Sequence, residues 1–197
     1  MSTTLLDWEE RYRTGQTGWQ RAVANPTCLA WIADGTLPRG RILVPGAGRS
    51  EEPLALAKAG YVVTVVDIAA SAVEFQAGRL AGFGGVALQA DLFAYAPAVP
   101  FDAAFEQTCL CALPPELWER YAACLAGWIR PGGVLGAMFI QTGREGGPPF
   151  HCDLGRMRGL FSAAAWAWPA DPQPVPQFGG MAEIPAPLRR LGKAVPS

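Results

Sequence analysis

Apolar positions along this chain follow two periods that alternate. Residues 42–44, 61–66, 86–89, 101–105 and 134–140 are short runs rich in Val, Ile, Leu, Phe and Ala. Runs of this length bounded by turn residues predict β-strands. The run 61–66 is apolar at nearly every position, which predicts a strand covered on both faces. Between the runs, residues 53–59, 69–80 and 114–128 repeat apolar side chains every three or four positions, the pattern of a helix with one buried face. Gly60 stops the first of these helices, Pro115 stands in the first turn of the third, and Arg130 follows its end. Pro131-Gly-Gly133 is a hard turn before the run at 134–140. Strands alternating with helices predict an α/β, Rossmann-like fold built on a mostly parallel, doubly wound sheet with helices on both faces.

The flanks add less regular pieces. Residues 5–13 predict a short amphipathic helix with Leu5, Trp8 and Tyr12 at helical spacing, followed by a loop to Trp19. Residues 27–33 predict a second helix with Leu29, Ile32 and Trp31 on its inward side. Toward the C-terminus, residues 153–161 predict a helix with Asp153 as N-cap, and residues 163–168 a strand. Residues 169–176 hold four prolines and predict a loop. Residues 181–188 predict an edge strand, since Pro185 and Pro187 cannot donate to a ladder. The count is seven strands in a single domain over residues 1–197, with residues 1–35 a helical lid segment and residues 40–197 the core.

The chemistry is concentrated where the first strand ends. Leu43-Val-Pro-Gly-Ala-Gly48 runs from strand to glycine turn, a helix follows, and Asp67 closes the next strand. Gly46 and Asp67 are 21 positions apart, close to the ~20 that puts an acid on the ribose hydroxyls of a ligand lying over the turn. The third glycine of a dinucleotide fingerprint is absent, because Ser50 and Glu51 stand there. No phosphate-binding Lys follows. Glu51 and Glu52 at the helix start suit its dipole but compete with a pyrophosphate for the same amides. A cofactor without phosphates fits better, and S-adenosylmethionine, with cationic sulfonium and amino groups, is the common one. A nicotinamide-dependent reductase shares the turn and the acid but needs pyrophosphate room and a Tyr/Lys or His proton donor. A non-catalytic S-adenosylmethionine-binding domain is the other alternative.

Composition narrows the partners. The chain has 197 residues, half of them apolar and 17% charged, with a formal net charge of −1. No dense Lys/Arg run appears, which argues for a small-molecule partner and against a nucleic-acid surface. The five cysteines have no C-x-x-C spacing, so neither a disulfide framework nor a metal site is indicated. No secretory h-region or membrane-length apolar run is visible. A cytoplasmic monomer is the expectation. Cys109 and Cys111 alternate along the predicted fourth strand, so they are expected on opposite faces, unable to line one pocket. The pair Arg189-Arg190 reads as a solvated strand end.

The chain resembles the class I S-adenosylmethionine-dependent methyltransferases of the thiopurine S-methyltransferase family, with its thiol and halide methyltransferase relatives. The resemblance rests on Trp8-Glu-Glu-Arg-Tyr12 with Thr17-Gly-Trp19, on Leu43-Val-Pro-Gly-Ala-Gly48, on the stretch from Phe101 through Cys109 to Leu113, and on Gly146-Gly-Pro-Pro-Phe150. It implies a small soft acceptor, a thiol or thiopurine-like molecule, and roles residue by residue. Gly46 and Gly48 form the floor under the cofactor's amino-acid end. Asp67 holds the ribose hydroxyls, with Ile68 against adenine and Asp91 and Leu92 at its edge. Glu106 faces the methionine moiety and Trp19 covers the cofactor. Trp8, Tyr12, Phe150 and His151 are pocket candidates, His151 by its place beside the Gly-Pro-Pro loop and with no role inherited from the resemblance. Relatives have Asp-Tyr or Asp-Arg where Glu106-Gln107 stands here. No catalytic residue is assigned and no metal is expected.

Overall fold

The computed structural model describes residues 7–176 and 180–192. The predicted start of the first helix, with Leu5, lies outside the described residues. Six α-helices are present among the described residues: α1 Trp8–Arg13, α2 Pro26–Ala33, α3 Glu52–Lys58, α4 Ala70–Leu80, α5 Trp118–Trp128 and α6 Leu154–Leu160. Caps explain several boundaries. Asp7, Asn25 and Asp153 each accept a backbone N–H in the first turn of α1, α2 and α6. Pro115 starts a single 3₁₀ turn, Pro115–Leu117, ahead of α5, so the predicted helix 114–128 is two pieces.

The strands are β1 Arg41–Pro45, β2 Val62–Asp67, β3 Val86–Gln89, β4 Phe101–Gln107, β5 Ile129–Gln141, β6 Trp166–Ala167, β7 Val175–Pro176 and β8 Ala182–Arg190. Their order is β3-β2-β1-β4-β5-β8-β6, with β7 also on β8. The first five are parallel, and β8 returns antiparallel along β5. The described sheet thus has eight strands where seven were expected. The extra one, β7, falls inside the expected proline loop. The predicted strand 163–168 shrinks to two residues because Ser162 O holds the amides of Ala165 and Trp166 in a turn.

Strand β8 is not an edge, contrary to the expectation from Pro185 and Pro187. It pairs with β5 over eight residues and with β6 and β7 at its two ends. Between those ends its outer side has no partner strand among the described residues. Prolines two residues apart can both turn their nitrogens to that side at no cost to the β5 ladder. Pro131-Gly-Gly133 turns within β5 instead of preceding it. Gly132 has φ +78°, and the β4–β5 register shifts between Phe101 and Ala103.

Alternation along the central strands divides the core into two layers. Ile42, Val44, Val63, Val65, Ala103 and Phe105 face a layer closed by Leu56 of α3, Leu80 of α4 and Trp31 of α2. Leu43, Val66, Ala104, Leu135 and Phe139 face the layer closed by α5 and α6. In α2 the buried positions are Cys28 and Trp31, while Leu29 is 46% exposed. Trp31 is buried as expected, in the room that Gly136 of β5 leaves for it, whereas Leu29, also expected inward, is exposed. A Cβ at Gly136 would stand 2.9 Å from the Trp31 ring.

Candidate active site

Strand β1 lies between β2 and β4, where the order of the sheet reverses. Ligands of open α/β sheets bind outside the carboxyl ends of strands at such a point. Here that crevice is a cavity of about 590 Å³, within the range of small-molecule sites. Its floor is the turn after β1. Gly46 and Gly48 both have φ +54°, a conformation that costs any residue with a Cβ. A Cβ at Gly46 would lie 2.7 Å from Cys109 Sγ, and one at Gly48 would collide with the Tyr12 hydroxyl. Asp67, at the tip of β2, is 6% exposed. Its Oδ2 accepts from Gly48 N at 2.8 Å and its Oδ1 from Ala69 N at 2.9 Å. Burial raises its pKa from the ordinary value, against the lowering effect of those amides. A carboxylate has about four acceptor sites, so Asp67 retains capacity for a ligand.

Of the residues singled out in the sequence, Trp19, Gly46, Gly48, Asp67, Ile68, Asp91 and Leu92 line this cavity, as do Trp8 and Tyr12. Ile68 is 53% exposed, an apolar side chain left open at the cavity rim. Asp91 uses Oδ1 to accept from Phe93 N at 2.8 Å in a local turn. The lid over the floor is aromatic. Trp19 meets Trp8 edge-on at 5.5 Å between centroids and Tyr12 at 6.0 Å. Arg11 lies over both indoles and Arg49 over Tyr12. Glu9 docks α1 on the core by accepting from Ser71 N, in the first turn of α4, at 2.9 Å. Burial, with Asp67 nearby, pushes the Tyr12 hydroxyl up to about 12.

Three expected residues are not on the cavity wall. Glu106, 1% exposed, turns its Oε1 back to accept from Leu110 N at 2.6 Å. Burial, chiefly, pushes its carboxyl up to about 7. Phe150, whose amide donates to Cys111 O, does not line the cavity, while Pro148 and Pro149 do. His151 Nδ1 accepts from Thr142 N at 3.0 Å and Gly143 N at 3.3 Å, fixing the loop after β5.

Cys109 and Cys111 both line the cavity, against the expectation of opposite faces. Strand β4 ends at Gln107, Thr108 has φ +64°, and a 3₁₀ turn, Leu110–Ala112, follows. The period of two therefore stops before Cys109. Burial raises both thiols well above their ordinary value. Arg190 is also no solvated end. It donates to the carbonyls of Ala126, Ala165 and Leu191 and lies over Trp166.

Polar residues that sequence reasoning left out of the site also reach it. Glu51 pairs outward with Arg79, whereas Glu52 is 4% exposed on the cavity wall. Glu52 Oε1 accepts from Asn25 N at 2.7 Å, Asn25 Nδ2 donates to Glu183 Oε2 at 3.2 Å, and Gln107 Nε2 donates to both Glu183 oxygens. This chain of buried polar groups joins the α2 cap, the α3 start, β4 and β8. Asn25-Pro26 as a helix start was the one local signal for it. Arg21 Nη2, also at the cavity, is buried without a hydrogen-bond partner among the described residues.

A nucleoside joined to a charged amino-acid end fits these surfaces. The glycine floor admits close backbone approach, Asp67 offers acceptors to hydroxyls, Ile68 and Leu92 offer apolar contact, and Arg21 Nη2 offers a donor to an anion. The family model for thiopurine S-methyltransferase matches residues 3–169. A thiol methyltransferase of Arabidopsis thaliana is 32% identical over 152 residues, covering 75% of this chain and 67% of that protein. A thiopurine S-methyltransferase of Pseudomonas entomophila is 31% identical over 175 residues, covering 79% of this chain and 81% of its own. In fold, the chain is similar to the 1,6-didemethyltoxoflavin-N1-methyltransferase of Burkholderia thailandensis, solved with S-adenosylhomocysteine. That likeness has a TM-score of 0.76 at 21% identity over 94% of this chain and 86% of that one.

Proposed function

The chain belongs to the thiopurine S-methyltransferase family, and on that premise we propose that it methylates a small soft nucleophile, a thiol or thiopurine-like acceptor, in the cavity above Gly46 and Gly48. S-adenosylmethionine supplies, when bound, an electrophilic methyl group on its sulfonium. The residues read as holding it are Gly46, Gly48, Asp67, Ile68, Asp91, Leu92 and Trp19. Glu106 is dropped from that set, because its carboxyl is engaged with Leu110 N.

The chemistry of the remaining wall carries the acceptor reading. Leu113, Ile140, Pro148, Pro149 and Met181 make it largely apolar. The Tyr12 hydroxyl and the Cys109 and Cys111 thiols beside it are all raised, so none of these three is a base at neutral pH. A thiol that ionises by itself needs no base from the protein. The chain's task is then to hold the nucleophile in line and exclude water, and positioning of that kind supplies roughly 7–11 kcal/mol of a barrier. The aromatic lid of Trp8, Tyr12 and Trp19 is suited to exclusion of water. A nicotinamide reductase is not favoured, as no Tyr/Lys or His donor pair lines the cavity among the described residues. The five free cysteines support a reducing, cytoplasmic setting and the net charge of −1 a small-molecule acceptor. No described helix is long and apolar enough to cross a membrane. Transfer of a labelled methyl group to a panel of thiols, aromatic amines and nucleic acid tests the proposal. Transfer to thiols is expected, and transfer to nucleic acid alone overturns it.

A further inference from the structure

We propose that Arg21 and Glu52 form a clamp for the zwitterionic end of the cofactor, Arg21 taking its α-carboxylate and Glu52 its α-ammonium. The proposal rests on reading the cavity as the cofactor site. Two charged side chains on its wall are incompletely satisfied by the protein. Arg21 Nη2 is buried without a partner, and Arg21 makes no ion pair among the described residues. Of the other arginines of the wall, Arg11 lies over Trp8 and Trp19, and Arg49, whose Nε is also buried without a partner, stacks its guanidinium on Tyr12. An unpaired, desolvated guanidinium is costly unless something answers its charge.

Glu52 is the complementary case. Its Oε1 accepts from Asn25 N, and its Oε2 has no partner among the described residues. The other acids on the wall, Asp67 and Asp91, stand at or just beyond the ends of β2 and β3. Glu52 stands apart from them, on the first turn of α3 close after Gly48. The bond from Asn25 N to Glu52 Oε1 ties the chain four residues on from Arg21 to that turn, and Arg21 and Glu52 line the same cavity. The two opposite charges share a wall and form no ion pair with each other. An amino-acid zwitterion, with its charges on neighbouring atoms, answers both. Glu106, the acid expected to face the methionine moiety, is withdrawn from the wall, which leaves this role to Glu52.

Calorimetric titration compares S-adenosylhomocysteine with 5′-methylthioadenosine, which keeps the nucleoside and thioether but lacks the amino-acid end. Arg21→Met removes one charge. Glu52→Gln removes the other while keeping an oxygen for Asn25 N. Each variant is expected to weaken S-adenosylhomocysteine by roughly tenfold to a hundredfold, the effect of one hydrogen bond to a charged group, and to leave 5′-methylthioadenosine within about twofold. The Arg21→Met loss should vanish for an analogue lacking the carboxylate, and the Glu52→Gln loss for one lacking the amino group. Equal losses for both ligands, unchanged affinity for S-adenosylhomocysteine, or losses that follow the opposite group overturn the clamp. Wild-type protein that binds neither ligand overturns the cofactor-site reading and the clamp with it. Wild-type protein that prefers S-adenosylhomocysteine while both variants stay unaffected overturns the clamp alone. If Glu52→Gln does not fold, Arg21→Met and the analogues on wild-type protein decide, since each deleted ligand charge must weaken wild-type binding.

Discussion

Replacing Glu106 by Gln should change how stability depends on pH. Glu106 is 1% exposed, and burial, with the charge of Glu183 nearby, raises its carboxyl from 4.5 to about 7 against the opposing amides of Leu110 and Cys109. The folded state therefore holds this proton more tightly than the unfolded chain does. Below about pH 4.5 both states are protonated and the full stability is present. As pH rises, the unfolded carboxyl ionises first, and stability falls until the folded carboxyl ionises near 7. That interval, at about 1.4 kcal/mol per pH unit, amounts to roughly 3 kcal/mol. Glu106→Gln keeps an oxygen for Leu110 N–H and removes the titration. Urea denaturation of both proteins from about pH 4.5 to about pH 8 checks it, because the difference between them cancels the other titrating groups. Wild type should lose roughly 3 kcal/mol relative to the variant across that range. Two curves that stay parallel within roughly 0.5 kcal/mol would refute the burial argument.

Asp67→Ala should weaken S-adenosylhomocysteine binding by ~1–3 kcal/mol, the range for hydrogen bonds to a charged group, and should also lower stability, since Gly48 N and Ala69 N lose their acceptor. An unchanged dissociation constant in the folded variant would remove Asp67 from the cofactor site. Gly136→Ala should cost roughly 1–3 kcal/mol of stability by overpacking, because its Cβ would meet Trp31 at 2.9 Å and Leu37 at 3.0 Å. A neutral result by thermal denaturation would mean that α2 shifts freely. Deleting residues 1–20 removes Trp8, Tyr12 and Trp19 together with the bond from Ser71 N to Glu9. Turnover should be lost and cofactor retention weakened while circular dichroism still reports the sheet. Full activity of the truncated chain would sink the lid reading.

The sequence by itself determined the elements whose rules are local. A run of β-branched residues, a glycine stop and a helical period at 69–80 depend on neighbours within a few positions. β2, Gly60 and α4 accordingly stand where expected, within one or two residues. The strand–turn–helix–strand–acid order likewise fixes that Gly46, Gly48 and Asp67 meet, because a parallel pair in register carries the end of β1 beside the end of β2.

Tertiary structure alone decided where side chains go once the period ends. Cys109 and Cys111 share the cavity because Thr108 turns the chain out of β4. Glu106 faces an amide four residues on, and His151 two amides of the loop after β5. Both look like free functional groups in the sequence. Leu29, expected inward beside Trp31, is exposed, and Trp31 is buried where Gly136, more than a hundred positions later, leaves room for its indole. Asn25 and Glu183 are 158 positions apart, and only the return of β8 along β5 brings them together at 3.2 Å. A buried polar group must find its partner wherever packing places one. That choice follows from the closure of the whole sheet, which no window of the sequence contains.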